Sequence, residues 1–99
     1  MNLRSALESV IVNVNAFGLW QMLLGTKRRQ VTTSGNSLRD LINTLNDFTS
    51  GSLTGEVLVA DGGLDPKFKI FVNGNAANSL STKLGNGDEV VLFSIIDGG

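Results

Sequence analysis

The amino-acid sequence predicts an α+β fold in which one main helix covers one face of a small mixed sheet. Segments near both ends alternate apolar and polar residues as half-buried strands do, and a single amphipathic helix pattern lies between them. The chain has 99 residues, of which 41% are apolar, and this length leaves room for little more than one domain. We therefore expect residues 1–99 to form a single domain.

The first strand is predicted at residues 9–15, where Val10, Val12 and Val14 share one face. The apolar run over residues 16–25 is predicted to be a compact connection between two strands. The large side chains of this run are Phe17, Trp20, Leu23 and Leu24. We expect them to fill one edge of the core, and a ligand-stacking cluster is the alternative interpretation.

A polar second strand is predicted at residues 27–33, and it begins with the basic residues Lys27, Arg28 and Arg29. Charged side chains on a strand often protect an exposed sheet edge from pairing with another chain. We therefore interpret the basic run as part of an edge strand. Binding of acidic groups is the alternative.

The main helix is predicted at residues 35–48. Ser37, with Asp40 three residues later, matches the spacing of a capping box at a helix N-terminus. Apolar side chains then recur at spacings of three and four, so they form one stripe that we expect to pack on the sheet. The residues of the stripe are Leu38, Leu41, Ile42, Leu45 and Phe48.

Residues 49–66 are rich in Gly, Ser and Asp, and they are predicted to be irregular, with a short strand or turn at residues 56–60. A strand is predicted at residues 67–74, ending in the turn signal Asn73-Gly74. A turn at residues 85–87 then opens the last strand, at residues 88–96.

Both faces of the last strand carry apolar side chains. If Val90 and Leu92 face the helix, Val91 and Phe93 form an apolar patch on the open face of the sheet. Exposed apolar patches mark surfaces that bind partners. We therefore predict a partner surface beside the last residues of the chain.

Composition excludes several classes of function. The chain has no Cys, His or Tyr, which excludes disulfides, thiolate or imidazole metal sites and Ser-His or Cys-His catalysis by this chain alone. The net charge of −1 does not favour nucleic acid or an anionic membrane. No stretch resembles a signal peptide or a membrane span, so we expect a cytoplasmic protein with no metal and no bound cofactor.

Four stretches together resemble the beta-grasp sulfur carriers of the MoaD and ThiS type, and among them the small subunit of molybdopterin synthase. They are "FGLWQMLLG" (17–25), "SLRDLINTL" (37–45), "IFVNG" (70–74) and "LGNGDEVVLFSIIDGG" (84–99). The family patterns carry Arg-Glu where this chain has Gln21-Met22, and Pro-Pro where it has Ser94-Ile95. The resemblance implies a ubiquitin-like beta-grasp fold, a mixed four- to five-stranded sheet with one main helix on one face.

The resemblance also implies a function for the last residues. An ATP-dependent, ubiquitin-activating-type adenylyltransferase would adenylate the carboxylate of Gly99, and sulfur from a persulfide donor enzyme would convert it to a thiocarboxylate. Gly98 and Asp97 would thread through the partner's active site, because glycine adopts conformations that other residues resist. The chain would be non-catalytic alone and would serve as the sulfur-donating small subunit of a molybdopterin synthase-type sulfurtransferase.

Partner binding is assigned to Phe93, Val91, Ile95 and Ile96, which would contact the activating enzyme and the synthase large subunit in turn. Residues 1–8 and 97–99 are predicted to be flexible.

Three alternatives stay open from the sequence. Gly99 could be joined to protein lysines, as in a ubiquitin-like modifier. The carrier could serve another sulfur pathway, such as thiamin or cysteine synthesis. The chain could also be a beta-grasp binding module in which Gly98-Gly99 has no function.

Overall fold

The computed structural model describes residues 9–49, 51–77 and 79–95. The elements in chain order are strand β1 (Ile11–Ala16), helix α1 (Leu19–Leu24), strand β2 (Arg28–Thr32), helix α2 (Leu38–Phe48), helix α3 (Leu53–Val57), strand β3 (Phe68–Val72), strand β4 (Asn75–Ala76) and strand β5 (Glu89–Ser94). The four main predicted strands and the main helix are present, and the two short helices α1 and α3 and the two-residue strand β4 are additional.

The described strands form one mixed five-stranded sheet in the order β2-β1-β5-β3-β4. β1 and β5 pair in parallel, with Val14 opposite Val90 and Ala16 opposite Leu92. The other three pairings, β1 with β2, β3 with β5 and β3 with β4, are antiparallel. The last strand in the chain therefore lies in the middle of the sheet, and β2 lies at an edge, as the polar sequence of β2 predicted.

Helix α2 packs on one face of the sheet and has the predicted capping box. The Oγ of Ser37 accepts a hydrogen bond from the Asp40 N–H at 3.1 Å, and the Ser37 N–H donates to Asp40 Oδ2 at 3.1 Å. The apolar stripe is buried from Leu38 to Leu45. Phe48 is the exception, because it is 48% exposed and lies under the Arg29 guanidinium, 4.3 Å from the ring centre.

The apolar run after β1 differs from its prediction in two ways. Residues 19–24 form the short helix α1 rather than a connection without secondary structure. Trp20 is fully buried with its ring edge-on to Phe68 at 5.2 Å, whereas Phe17 is 48% exposed, so the expectation that Phe17 fills the core is wrong. Full burial also excludes the alternative that Trp20 stacks on a ligand, because no face of its ring reaches solvent.

The irregular stretch also contains a helix that the sequence did not predict. α3 begins where the Asn46 Oδ1 accepts a hydrogen bond from the Thr54 N–H at 3.0 Å, and it buries Leu53 and Val57 on one side. These two residues are four apart, which is helix spacing. The predicted strand or turn at residues 56–60 is therefore wrong over its first half.

Among the described residues, no helix is long and apolar enough to cross a membrane. The predicted flexible segments, residues 1–8 and 97–99, lie outside the described residues.

Candidate functional site

The two faces of β5 have opposite surroundings. Val90 and Leu92 are fully buried under the helices, while Phe93 on the other face is 44% exposed and Val91 is partly exposed. This arrangement confirms the assignment of the two faces made from the alternation of the strand. It follows that the sheet has an open face with apolar groups on it.

We define the open-face patch as Phe71, Val91, Phe93 and Ile95. Phe71 lies directly opposite Val91 in the antiparallel pair of β3 and β5, so their side chains share a face. Ile95 directly follows β5 and is 48% exposed. Three of these residues were predicted from the sequence as partner-binding. Their role in binding stays a prediction, and Ile96, Asp97, Gly98 and Gly99 lie outside the described residues.

Sequence reasoning missed two aromatic residues near this surface. Phe68 and Ile70 are buried, and Phe71 alternates with them along β3, so its side chain points to the opposite face. This alternation could have placed Phe71 on the open face from the sequence. Phe17 follows Ala16, which lies opposite Leu92, so Phe17 emerges from β1 beside the same end of β5. No sequence signal separated Phe17 from Trp20, because both belong to one apolar run.

The patch occupies only half of the open face. Toward the other end of the sheet, Asn13 lies between Gln30 on β2 and Glu89 on β5, and this row is polar. The patch is also bounded on the β2 side. Asn15 on β1 lies opposite Val91, and its Oδ1 accepts a hydrogen bond of 3.0 Å from Arg28 Nε. The apolar side chains thus lie in the half of the open face where β5 ends, and Lys69, opposite Phe93, borders them.

The basic run at residues 27–29 lies at the sheet edge. Arg28 contacts Asn15 and Arg29 stacks on Phe48, so both cations cover the surface of the protein itself. This placement favours the edge-protecting interpretation, and binding of acidic groups stays a prediction that no contact here supports.

The described residues do not form a metal centre. Within this part of the chain, no group of three or more Asp and Glu residues is arranged to hold a metal ion. The surface that stands out among the described residues is the exposed apolar patch on the open face of the sheet.

A comparison with protein families decides the class of protein. The ThiS family matches residues 14–99, which is most of the chain and includes β1 from Val14 onward, the open-face patch and Gly98-Gly99. The chain belongs to the ThiS family. The resemblance read from the four sequence stretches, to beta-grasp sulfur carriers, is confirmed by this match.

Solved structures agree with the family. SAMP1 from Haloferax volcanii is 24% identical over 90% of this chain and 99% of that chain, with a TM-score of 0.75. A candidate molybdopterin converting factor, subunit 1, from Pyrococcus furiosus is 27% identical over 88% of this chain and 99% of that chain, with a TM-score of 0.68.

A third similar structure is a protein–protein complex. It contains subunits 1 and 2 of the molybdopterin-converting factor from Helicobacter pylori, and one of its chains is 20% identical over 91% of this chain and 100% of that chain, with a TM-score of 0.56. None of the curated proteins matches the chain. These likenesses confirm the ubiquitin-like beta-grasp fold, which this family shares with small modifier proteins and sulfur carriers.

Proposed function

We propose that this protein is a sulfur carrier whose Gly99 carboxylate is adenylated and then converted to a thiocarboxylate, and that the sulfur serves molybdopterin synthesis. The observation that carries the proposal is the family match, which runs through β5 and its open-face patch to Gly98-Gly99. The patch provides a docking surface, and the residues that follow it in the chain carry the reactive group.

The chemistry explains why such a carrier needs no reactive side chain of its own. A carboxylate is a poor electrophile, so its oxygen first attacks the α-phosphorus of ATP and pyrophosphate leaves. The terminal sulfur of a persulfide then attacks the acyl carbon and AMP leaves, which gives an acyl disulfide. A thiol of the partner enzyme attacks the donor's sulfur in this bond, so a new disulfide forms on the enzyme side and the thiocarboxylate leaves. Sulfur held in this form is a nucleophile at neutral pH without a tuned cysteine. The activating enzyme uses the ATP, and this chain itself holds no cofactor.

Partner binding is assigned to the open-face patch. Phe93 and Ile95 keep about half of their surface exposed, and aromatic and aliphatic side chains that are exposed in this way supply the anchors of protein interfaces. We propose that the patch binds an activating adenylyltransferase first and a synthase large subunit afterwards. The Helicobacter pylori structure, a complex of subunits 1 and 2, and the Pyrococcus furiosus neighbour support molybdopterin synthase as the destination.

The test is a mass measurement on the intact protein. The purified protein, first checked by mass to end at Gly99, is incubated with its activating enzyme, ATP and a persulfide sulfurtransferase. We expect the mass to rise by one oxygen-to-sulfur exchange, located at Gly99 by fragmentation. A variant with one extra residue after Gly99 is the control. The extra residue moves the carboxylate by about 3.5 Å, and a misplacement of 1 Å costs about a hundredfold in rate.

Two outcomes would contradict the proposal. Equal thiolation of the extended variant would show that Gly99 is not the reacting residue. The second outcome is that Gly99 becomes joined to lysines of many proteins and no large subunit consumes a thiocarboxylate. This outcome would assign the chain to the ubiquitin-like modifiers instead.

A further inference from the structure

The end of β5 is held by the residues that connect β1 to α1 and by the first turn of α1. Three successive residues of β5 accept hydrogen bonds from this segment. The Phe17 N–H donates to the Leu92 carbonyl at 2.9 Å, and Trp20 Nε1 donates to the Phe93 carbonyl at 3.0 Å. The Leu19 N–H donates to Ser94 Oγ at 2.9 Å. This segment therefore supplies hydrogen bonds to β5 beyond Ala16, the residue at which β1 ends.

The opposite side of β5 is hydrogen-bonded to β3 and to the residue before it, also up to the end of the strand. Ser94 lies opposite Phe68 in the antiparallel pair, and the Ile95 N–H donates to the Lys67 carbonyl at 2.8 Å. Both flanks of β5 are therefore hydrogen-bonded up to the last residues before the tail. Ile95 directly follows the end of β5 and is the last residue that the structure describes.

Gly18 and Ser94 are matched in space. Gly18 has a φ of +62°, which L side chains rarely adopt, and a Cβ at this position would collide with Ser94 Oγ. Ser94 is only 5% exposed, so its hydroxyl has little freedom to move away. We define Gly18, Leu19, Trp20 and Ser94 as the β5 anchor.

We infer that the β5 anchor positions the carboxylate of Gly99 relative to the open-face patch during activation, with Ser94 as its principal positioning residue; this inference rests on the proposed function. Gly99 is the fourth residue after Ile95, and four residues span at most about 14 Å when extended. Because the reach is short, a shift of Ile95 changes the positions that the carboxylate can reach. The partner binds the patch, so a fixed position of Ile95 limits how far from the patch the carboxylate can lie.

The test compares two buried hydroxyl groups of similar surroundings. Ser94→Ala removes the acceptor of the Leu19 N–H. The control, Thr44→Val, removes a hydroxyl on α2 that accepts from the Ser34 N–H at 3.1 Å and donates to the Asp40 carbonyl at 2.8 Å. Both variants lose a buried hydroxyl, but only Ser94 lies at the end of β5.

Pyrophosphate release by the activating enzyme is measured against the concentration of each variant. For Ser94→Ala we expect kcat to fall by at least about tenfold, because a shift of 1 Å costs about a hundredfold. KM should change by much less than kcat, because Phe71, Val91 and Phe93 keep their places in the patch and only Ile95 is displaced. Thr44→Val should keep the wild-type kcat and KM. Ser94→Thr, which keeps the hydroxyl, should recover kcat. Amide hydrogen exchange at Leu19 and Ile95 should be faster in Ser94→Ala and unchanged in Thr44→Val.

Gly18→Ala is a second variant, which displaces the Ser94 hydroxyl instead of removing it, and it should show the same fall in kcat. An unchanged kcat in Ser94→Ala with faster exchange at Leu19 would overturn the inference, as would a rise in KM alone. If the activating enzyme releases no pyrophosphate with the wild-type protein, the proposed function is wrong and so is the positioning role. The two failures are distinguished by the wild-type measurement.

Discussion

Replacing Leu92 and Phe93 by alanine, one at a time, separates folding from partner binding in two adjacent residues. Leu92 is fully buried between Ala16 on β1 and Ile70 on β3. Truncating a buried leucine removes its transfer free energy and leaves a cavity, which together lower the free energy of unfolding by about 2–5 kcal/mol. Stability of a small domain is on the order of 5–15 kcal/mol, so this loss is a large fraction of it.

Phe93 has a smaller share in stability. Full burial of a phenylalanine contributes about 1.5–3 kcal/mol, and because Phe93 is 44% exposed, we expect Phe93→Ala to cost roughly 1–2 kcal/mol. No closed cavity forms, since the open side of the ring faces water. For a domain of this size each kcal/mol corresponds to roughly 4–8 °C in Tm, so a loss of about 3 kcal/mol at Leu92 lowers Tm by roughly 12–24 °C.

The assay pairs thermal melts with a titration of each variant into the activating enzyme. We expect Phe93→Ala to weaken binding by about tenfold or more, as truncation of an interface anchor does, with a modest change in Tm. Phe48→Ala is the matched control, because Phe48 is 48% exposed but lies on the helix side of the sheet under Arg29. It should lose a similar amount of stability and no affinity.

Two results would refute the reasoning. A lower Tm for Phe93→Ala than for Leu92→Ala would mean that the faces of β5 are assigned wrongly. Equal losses of affinity in Phe93→Ala and Phe48→Ala would mean that the open-face patch is not the docking surface.

Two further predictions concern stability. Ser37→Ala removes the cap of α2 and should cost about 1 kcal/mol, which thermal melts would detect as a fall of roughly 4–8 °C; an unchanged Tm would contradict the role of the capping box. The Lys67 backbone N–H donates to the Asp65 carboxylate and lowers the pKa of Asp65 below its usual 3.8, so the carboxylate stabilises the fold above that value and loses this effect as the pH falls through the lowered pKa. Urea unfolding should find Asp65→Asn less stable than wild type at neutral pH and equally stable in acid, and a difference independent of pH would contradict this.

Local patterns predicted the parts of the fold that local physics decides. The alternation of Val12 and Val14, the capping box of Ser37 and Asp40, and the turn at Asn73 each depend on residues within a few positions of one another. The periods of strand and helix side chains do not change with tertiary surroundings. For this reason the elements, and the two faces of β5, could be predicted before any contact was known.

The same reasoning failed where several outcomes share one local pattern. Phe17 and Trp20 belong to one apolar run. Trp20 is buried where its Nε1 donates to the Phe93 carbonyl at the end of β5, whereas Phe17 is exposed, and this difference depends on tertiary contacts. The helix over Leu53–Val57 was missed because its short Gly- and Ser-containing sequence has weak helix propensity, and packing of Leu53 and Val57 against the core outweighs it.

By itself, the sequence determined the class of the fold, the alternation that exposes Phe93, and the resemblance that implies a reactive role for Gly99. The tertiary structure alone decided the order of the strands and the hydrogen bonds that hold the end of β5. Ser94 stands where the family pattern has proline, and its hydroxyl accepts a hydrogen bond from the Leu19 N–H, 75 residues away in the chain. Contacts between residues so distant in sequence form only when the parallel pairing of β1 and β5 brings them together, and no local period records that pairing.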